Sequence, residues 1–349
     1  MEKQDIFARL PGALLPWYEA NRRDLPWRRD KDPYHVWLSE IMLQQTRVEA
    51  VKGYYARFLD VLPTVEALAN ADDELLHKLW EGLGYYSRVR NLKKAACVIM
   101  HEHGGKFPGE YSQVLKLPGI GEYTAGAVCS IAFSQPTPAV DGNVLRVMAR
   151  LTSDFTPVDL PAYKKQVQTS LASVYPADAG AFTQALMELG ATVCGPNRKP
   201  DCDNCPCRAF CLARENGTQD SLPVRLPKRG RRKEEMTVLI LRCDGHYGLH
   251  KRPAKGLLAS MWEFPHIPGK PDLKDVICKV EEMGANPRDI LRQVEKKHIF
   301  THIEWDMNGI YMEVAEPVAE LTWLTPEQIC LEAALPTAFR QFWEETDYV

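Results

Sequence analysis

One stretch, residues 117–141 (LPGIGEYTAGAVCSIAFSQPTPAVD), constrains this chain more than any other. Pro118-Gly119-Ile120-Gly121 spells a tight turn, because glycine reaches positive φ without a Cβ clash. The small and apolar residues 122–132 predict a closely packed helix directly after it. Such a turn presents unpaired backbone N–H groups at a helix N-terminus, where the helix dipole favours an anion. A DNA phosphate is one such anion, which makes Gly119 and Gly121 candidate phosphate-binding positions. A proline-containing loop, 135–139, then delivers Asp141 just ahead of a further predicted helix, 143–151. That is the place of an N-cap.

The chain has 349 residues, 45% of them apolar, enough for two domains with cores of their own. Its formal charge is −3. Residues 1–216 are charge-neutral, and the acidic excess lies in the remainder. Nucleic-acid binding must therefore come from local patches and backbone amides rather than from the overall field. No apolar run approaches membrane-spanning length, and MEKQDIFARL lacks a signal-peptide core. The expectation is a soluble cytoplasmic protein with no membrane partner, lying with the nucleoid if the source is prokaryotic. Of ten cysteines, five lie within 194–211. Cys194, Cys202, Cys205 and Cys211 follow C-x7-C-x2-C-x5-C, with Cys207 inside the last gap. Clustering of this kind in an intracellular chain points to metal rather than disulfides, and the spacing admits zinc or an iron–sulfur cluster.

Read in order, residues 6–20 carry apolar positions at helical spacing, interrupted by prolines. Asp24-Leu25-Pro26-Trp27-Arg28 is an aromatic and basic loop. The next helix, 34 to about 48, places Glu40 among Trp37, Leu38, Ile41 and Met42. A carboxyl in that company is desolvated, which raises its pKa above the ordinary value of about 4.3 and suits a general acid. Composition alone makes a surface glutamate the commoner reading. Residues 54–80 and 92–103 add amphipathic helices, and Arg88, Arg90, Lys93 and Lys94 form a modest basic group. Residues 164–173 and 180–193 also read helical. Residues 217–233 are polar, with a basic run from 225, and read as a linker. Beyond them, 236–242 predicts a strand, 245–251 its hairpin partner and 272–283 a helix. Residues 298–307 alternate, with Ile303, Trp305 and Met307 on one face. Asn308-Gly309 signals a type I′ hairpin turn, 310–314 the returning strand, and 339 onward a closing helix.

Several of these motifs carry a family resemblance. LPWR at 25–28, WLSEIMLQQT at 37–46, GLGYYSRVRNL at 82–92 and the 117–141 stretch resemble the MutY family of the helix-hairpin-helix, endonuclease III-like superfamily. The resemblance implies that Glu40 protonates adenine, that Asp141 stabilises the cationic sugar and that Tyr123 supports them. Tyr123 stands where bifunctional relatives carry a Schiff-base lysine, and a phenol cannot form that adduct. Trp27, Arg28 and Gln184 match the adenine pocket. Gln45 and Tyr85 match residues that work at the base stack around the lesion pair. The four cysteines match ligands of a [4Fe–4S] cluster, with one residue more than usual in the first gap. Arg198, Lys199 and Arg208 decorate that loop and could meet the DNA backbone.

The C-terminal part resembles the MutT-like, Nudix-type domain of MutY proteins. Glu281, Glu282 and Gly284 remain of the hydrolase motif, but Cys278 and Ile277 replace two of its key residues, so pyrophosphate hydrolysis is not expected. Phe300-Thr301-His302 matches the F-S-H loop that recognises 8-oxoguanine. The expected architecture is multi-domain. An all-α glycosylase domain, 1–216, contains the hairpin motif at about 111–132 and the cluster loop at 194–211. A linker (217–233) and a smaller α+β Nudix-like domain (234–349) follow. The expected activity is that of a monofunctional DNA glycosylase of base excision repair, acting as a monomer on adenine opposite 8-oxoguanine or guanine in duplex DNA. The alternatives are an endonuclease III-like pyrimidine glycosylase and AP lyase, a non-catalytic damage binder and a nucleotide pyrophosphatase.

Overall fold

The computed structural model describes residues 3–196, 199–227 and 230–346. Arg198 of the cysteine loop, Lys228 and Arg229 of the expected linker, and the outermost residues of both expected domains lie outside them. The chain divides into two compact units: residues 1–70 with 91–227, and residues 71–90 with 228–349. The GLGYY segment thus groups with the second unit, and 217–227 with the first.

The first unit is helical. Its elements are α1 (Lys3–Asn21), α2 (Pro33–Leu43), α3 (Val48–Val61) and α4 (Val65–Asn70). After α5 (Asp73–Leu79), which belongs to the second unit, comes α6 (Ser87–Glu102), whose residues to Arg90 count with that unit too. The first unit continues with α7 (Tyr111–Val114), α8 (Glu122–Phe133), α9 (Gly142–Leu151), α10 (Pro161–Ala172), α11 (Ala179–Glu188) and α12 (Leu212–Glu215). α1 runs unbroken through Pro11 and Pro16, because Ile6, Leu10, Leu14 and Tyr18 anchor it along one buried stripe. α2 starts at Pro33, one residue before the expected 34, with the Asp32 carboxylate accepting from Tyr34 N–H. It ends five residues earlier than expected: Gln44 leaves the helical region and Gln45 takes φ 59°. Nothing in LQQT announces that stop. The expected 180–193 helix is α11 followed by a π-helical turn, Leu189–Val193. Among the described residues, no helix is long and apolar enough to cross a membrane.

The second unit is α+β. Its strands are β1 (Arg232–Cys243), β2 (His246–Lys251), β3 (Trp262–Glu263), β4 (His266–Pro268), β5 (Pro287–Ile299), β6 (Ile303–Val314) and β7 (Thr322–Leu324). The sheet order is β3-β2-β1-β6-β5, with β1 and β6 parallel and β5 and β6 antiparallel. Helices α13 (Leu273–Glu282), α14 (Pro326–Leu331) and α15 (Thr337–Trp343) complete it. One face buries Val238, Trp305 and Met307 with Phe339 and Phe342; the other buries Leu239, Ile310 and Met312 with Val276 and Val280.

One sequence expectation fails here, and one strand was not foreseen. Asn308-Gly309 is no hairpin turn but the middle of β6, paired with Glu295 and Val294 on one side and with Thr237 and Val238 on the other. Gly309 is there because the Phe342 ring packs where its Cβ would stand. The real hairpin tip lies between β5 and β6, at Phe300-Thr301-His302. β5 itself, PRDILRQVEKKHI, was not anticipated, since both its faces mix apolar and charged residues: Leu291 and Ile299 with Glu295 and Lys297 on the exposed one, Ile290 and Val294 with Arg292 and Lys296 on the half-buried one.

Candidate functional site

In the first unit, a cavity of about 560 Å³ is lined by residues of the 25–28 loop, α2, α8, α9 and α11. Glu40 reaches it from α2, Tyr123 from the first turn of α8, and Asp141 from the N-cap of α9. Trp27, Arg28, Gln45 and Gln184 also line it.

The stretch 117–141 folds as the turn chemistry predicts. Gly119 takes φ 75°, and a Cβ there would run into Asn91. Gly121 is extended at φ −99° and is the N-cap of α8, with no side chain satisfying the helix's first N–H groups. That is the arrangement an anion could complete. Further along α8, Gly126 lets the 135–139 loop press against the helix at Pro138, and Thr137 Oγ1 donates to the Gly126 carbonyl at 3.1 Å. This close approach delivers Asp141 to the cavity.

Glu40 is 6% exposed, and its Oε2 accepts from the Tyr123 hydroxyl at 2.6 Å. Burial pushes the Glu40 carboxyl up to about 7, with the neighbouring Asp141 adding to the rise and the bond from Tyr123 and the charge of Arg28 opposing it. The Tyr123 phenol is raised well above 10, first by burial and then by the two carboxylates, so it stays protonated. Burial also raises Asp141. Val144 N–H (2.8 Å to Oδ1) and the Asn143 amide (2.7 Å to Oδ2) donate to its charged form and limit that rise. Two acids thus share one cavity in different settings, one short of donors and one supplied with them.

The other end of the cavity is held by Glu188, which the sequence reading missed. Its carboxylate is fully buried and takes Arg23 Nε at 2.6 Å, Arg23 Nη2 at 2.8 Å and Arg28 Nη2 at 2.8 Å. Burial pushes Glu188 up, but the two guanidinium groups outweigh it and hold the carboxyl below its ordinary value. Arg28 also lies over the Tyr18 ring, whose hydroxyl donates to Gln184 Oε1 at 2.9 Å. Trp27 packs edge-on against Tyr55. The one local signal for Glu188 was its place four residues after Gln184, on the same helical face.

The far end of α9 meets the cysteine loop. Arg150 Nη1 donates to Cys194 Sγ at 3.2 Å and to the Gly195 carbonyl at 3.1 Å, and Arg146 Nε donates to the Cys194 carbonyl at 2.9 Å. Cys194, Cys202, Cys205 and Cys211 line one small cavity with Val147, Leu151, Leu189 and Val193, while Cys207 is fully buried in the adjoining core. Among the described residues, no three His, Cys, Asp or Glu side chains are grouped as a single metal ion requires.

The second unit has a cavity of its own, about 450 Å³, lined by residues 82–87, 256–258 and 298–303 with a few neighbours. It holds Tyr85, Phe300, Thr301 and His302 together. Tyr85 takes φ 49°, is 48% exposed, and its hydroxyl shares a 2.8 Å hydrogen bond with Thr301 Oγ1. Phe300 stands between His298 (4.5 Å) and Trp305 (4.8 Å), both edge-on. Of the expected basic group, Arg88 is buried, donating to the Leu83 and Gly84 carbonyls, and Arg90 donates to the Ala259 carbonyl. Both guanidinium groups thus hold this unit's backbone together. On α13, Cys278 is exposed and Glu282 pairs with Lys279 at 2.6 Å.

The hairpin, the paired acids and the helical frame define a helix-hairpin-helix base-excision DNA glycosylase. Residues 38–173 match the HhH-GPD superfamily base excision DNA repair protein family, and residues 236–345 match the NUDIX domain. A thermostable thymine-DNA glycosylase of known structure is 29% identical at a TM-score of 0.55, covering 61% of this chain and 97% of its own. The adenine DNA glycosylase of Homo sapiens is 37% identical over 399 residues, covering 95% of this chain and 72% of the human one. That of Buchnera aphidicola subsp. Acyrthosiphon pisum is 31% identical over 312 residues, covering 88% of this chain and 87% of its own. The chain belongs to the adenine DNA glycosylase family.

Proposed function

We propose that this enzyme removes adenine paired with 8-oxoguanine or guanine in duplex DNA by hydrolysis alone, acting as a monomer. The observation that carries the reading is the cavity where Glu40, its pKa near 7, faces a hydrogen-bonded Asp141. With Oε2 taken by Tyr123, Oε1 is left to carry the proton. That proton passes to a ring nitrogen of the flipped adenine, and the base–sugar bond breaks with its electron pair leaving on the base. Asp141 stabilises the positive charge at the sugar, and water then adds to the sugar carbon, its proton returning to the Glu40 carboxylate, to give an abasic site and free adenine. Arg28, Trp27 and Gln184 hold the base, Gln45 serves the stack at the mouth, and the N–H groups after Gly119 and Gly121 grip a phosphate. Tyr123 is a half-buried phenol held in its protonated form, which offers no amine for strand cleavage.

The second unit's cavity reads the opposing base. Phe300 and Tyr85 offer ring faces, and Thr301 and His302 offer hydrogen bonds to a purine edge. The four cysteines suit a [4Fe–4S] cluster: four thiols surround one apolar cavity, with Arg150 donating to a sulfur. Bound there, the cluster would supply a rigid cross-link for the 194–211 loop. The test is a panel of A:8-oxoguanine, A:G, A:C and thymine-glycol duplexes, scored with and without alkali. The reading requires strand breaks at adenine that appear only after alkali. Breaks without alkali at thymine glycol would favour the pyrimidine glycosylase and lyase instead.

A further inference from the structure

The second unit's cavity has two walls carried by different segments: Leu257 and Leu258 from the loop between β2 and β3, and Phe300 from the tip between β5 and β6. One side chain touches the support of both. Arg252 opens the loop, its own N–H donating to the Met261 carbonyl at 2.9 Å. Its Nε donates to the Leu257 carbonyl at 2.9 Å, inside the first wall. Its Nη1 donates to Glu263, whose side chain is only 4% exposed and which also bonds His250 Nε2 at 3.0 Å. Its guanidinium lies over the Trp305 ring, 5.9 Å from the centroid, and Trp305 is the ring that backs Phe300. Trp305 is in turn pinned by its indole N–H donating to Glu234 at 2.8 Å.

The loop needs such a brace. Leu258 and Ser260 take φ 56° and 61° without being glycine, and such conformations persist only where the surroundings over-determine them. A planar group with several donors in a fixed fork and a face that stacks on an indole can bond carbonyl, carboxylate and ring at once. A lysine keeps the charge but loses the fork.

We propose that Arg252, locked by buried Glu263, is a positioning residue for lesion selection, setting the gap between the Leu257–Leu258 wall and the Phe300 wall. This rests on the reading of that cavity as the site of the base opposite adenine. The gap then determines how well 8-oxoguanine is preferred over guanine there.

The test uses the full chain with R252M, R252K and E263Q, each first checked by thermal melting. Single-turnover adenine release and duplex affinity are measured on A:8-oxoguanine and A:G, with F300A as a control on the cavity itself. R252M is expected to lower the preference for A:8-oxoguanine by about tenfold, with R252K and E263Q lowering it less. An equal loss on both duplexes would mark Arg252 as merely structural and overturn the proposal. A preference that shifts in F300A but not in folded R252M overturns it too, while leaving the cavity reading intact. An unchanged preference in F300A sinks the cavity reading and the proposal with it. Should R252M fail to fold, E263Q decides, and an unchanged preference there overturns the proposal.

Discussion

The cavity of the helical unit is walled by carboxyl groups in two settings: Glu40, buried with the Tyr123 hydroxyl as its one donor among the described residues, and Asp141 and Glu188, supplied with two donors or more. The cavity of the second unit holds rings, leucines and hydroxyls, with no lining carboxylate among the described residues; its lining guanidinium, Arg90, is bonded to the Ala259 carbonyl, and Glu263 serves as a support through Arg252. The difference separates two tasks. Breaking a glycosidic bond needs charge placed where charge develops, which a buried acid of shifted pKa provides. Telling one purine from another needs shape and a few hydrogen bonds, which a stiff aromatic slot provides without any charge change. Substitutions in the first cavity should therefore act on the chemical step, and those in the second on the choice of opposing base.

The sharpest way to break this contrast is Glu40→Gln, which keeps shape and removes the proton. Base release should fall about 10³-fold with duplex binding retained, read by single-turnover kinetics beside a binding titration. A rate within a few-fold of the parent would end the acid role. Asp141→Asn comes next. The amide still caps Val144, so the fold should survive, and the loss of charge should cost about 10²-fold in the same assay. Intact activity would move the cation's stabiliser elsewhere.

The pH dependence sharpens the contrast. Glu40 must be protonated to act, and its carboxyl titrates near 7. kcat/KM should thus level off below that pH and fall about tenfold per unit above it. The same raised pKa has a stability cost. It favours the folded state fully only below the ordinary carboxyl value of 4.5, and that contribution is lost as pH rises through about 7. Glu40→Gln should therefore be the more stable protein at pH 8, by about 3 kcal/mol in denaturant unfolding, with the gap shrinking toward pH 4.5. An equal gap at both ends would contradict the assigned pKa. The smallest effect belongs to the second cavity: Thr301→Val should lower the preference for 8-oxoguanine over guanine by about fivefold. A pH-dependent preference would blur the division of labour between the two cavities.

Much of this was legible from local signals. The apolar stripe Trp37, Leu38, Ile41 and Met42 announced α2 and the desolvation of the carboxyl among them, and PGIG announced the turn before α8. Where signals misled, a distant partner was responsible. Asn308-Gly309 reads as a turn until Phe342 is seen filling the space beside Gly309. Arg88 and Arg90 read as part of a modest basic group until their carbonyl partners appear. β5 was silent because charged and apolar residues are mixed on both its faces, which leaves no clean alternation. Glu188 was missed because its place on the face of Gln184 says nothing of two arginines 160 and 165 residues away.

By itself, then, the sequence determined the hairpin turn, the helical and strand periods, the clustering of the four thiols and the candidate acids, because turn geometry and periodicity depend on a residue's immediate neighbours. Only the tertiary structure decided that Glu40, Tyr123 and Asp141 line one cavity and that Tyr85 bonds Thr301. It also decided that Arg252 braces two walls at once. Desolvation, ion pairing and close packing depend on which distant segments meet, and a linear order of residues does not contain those distances.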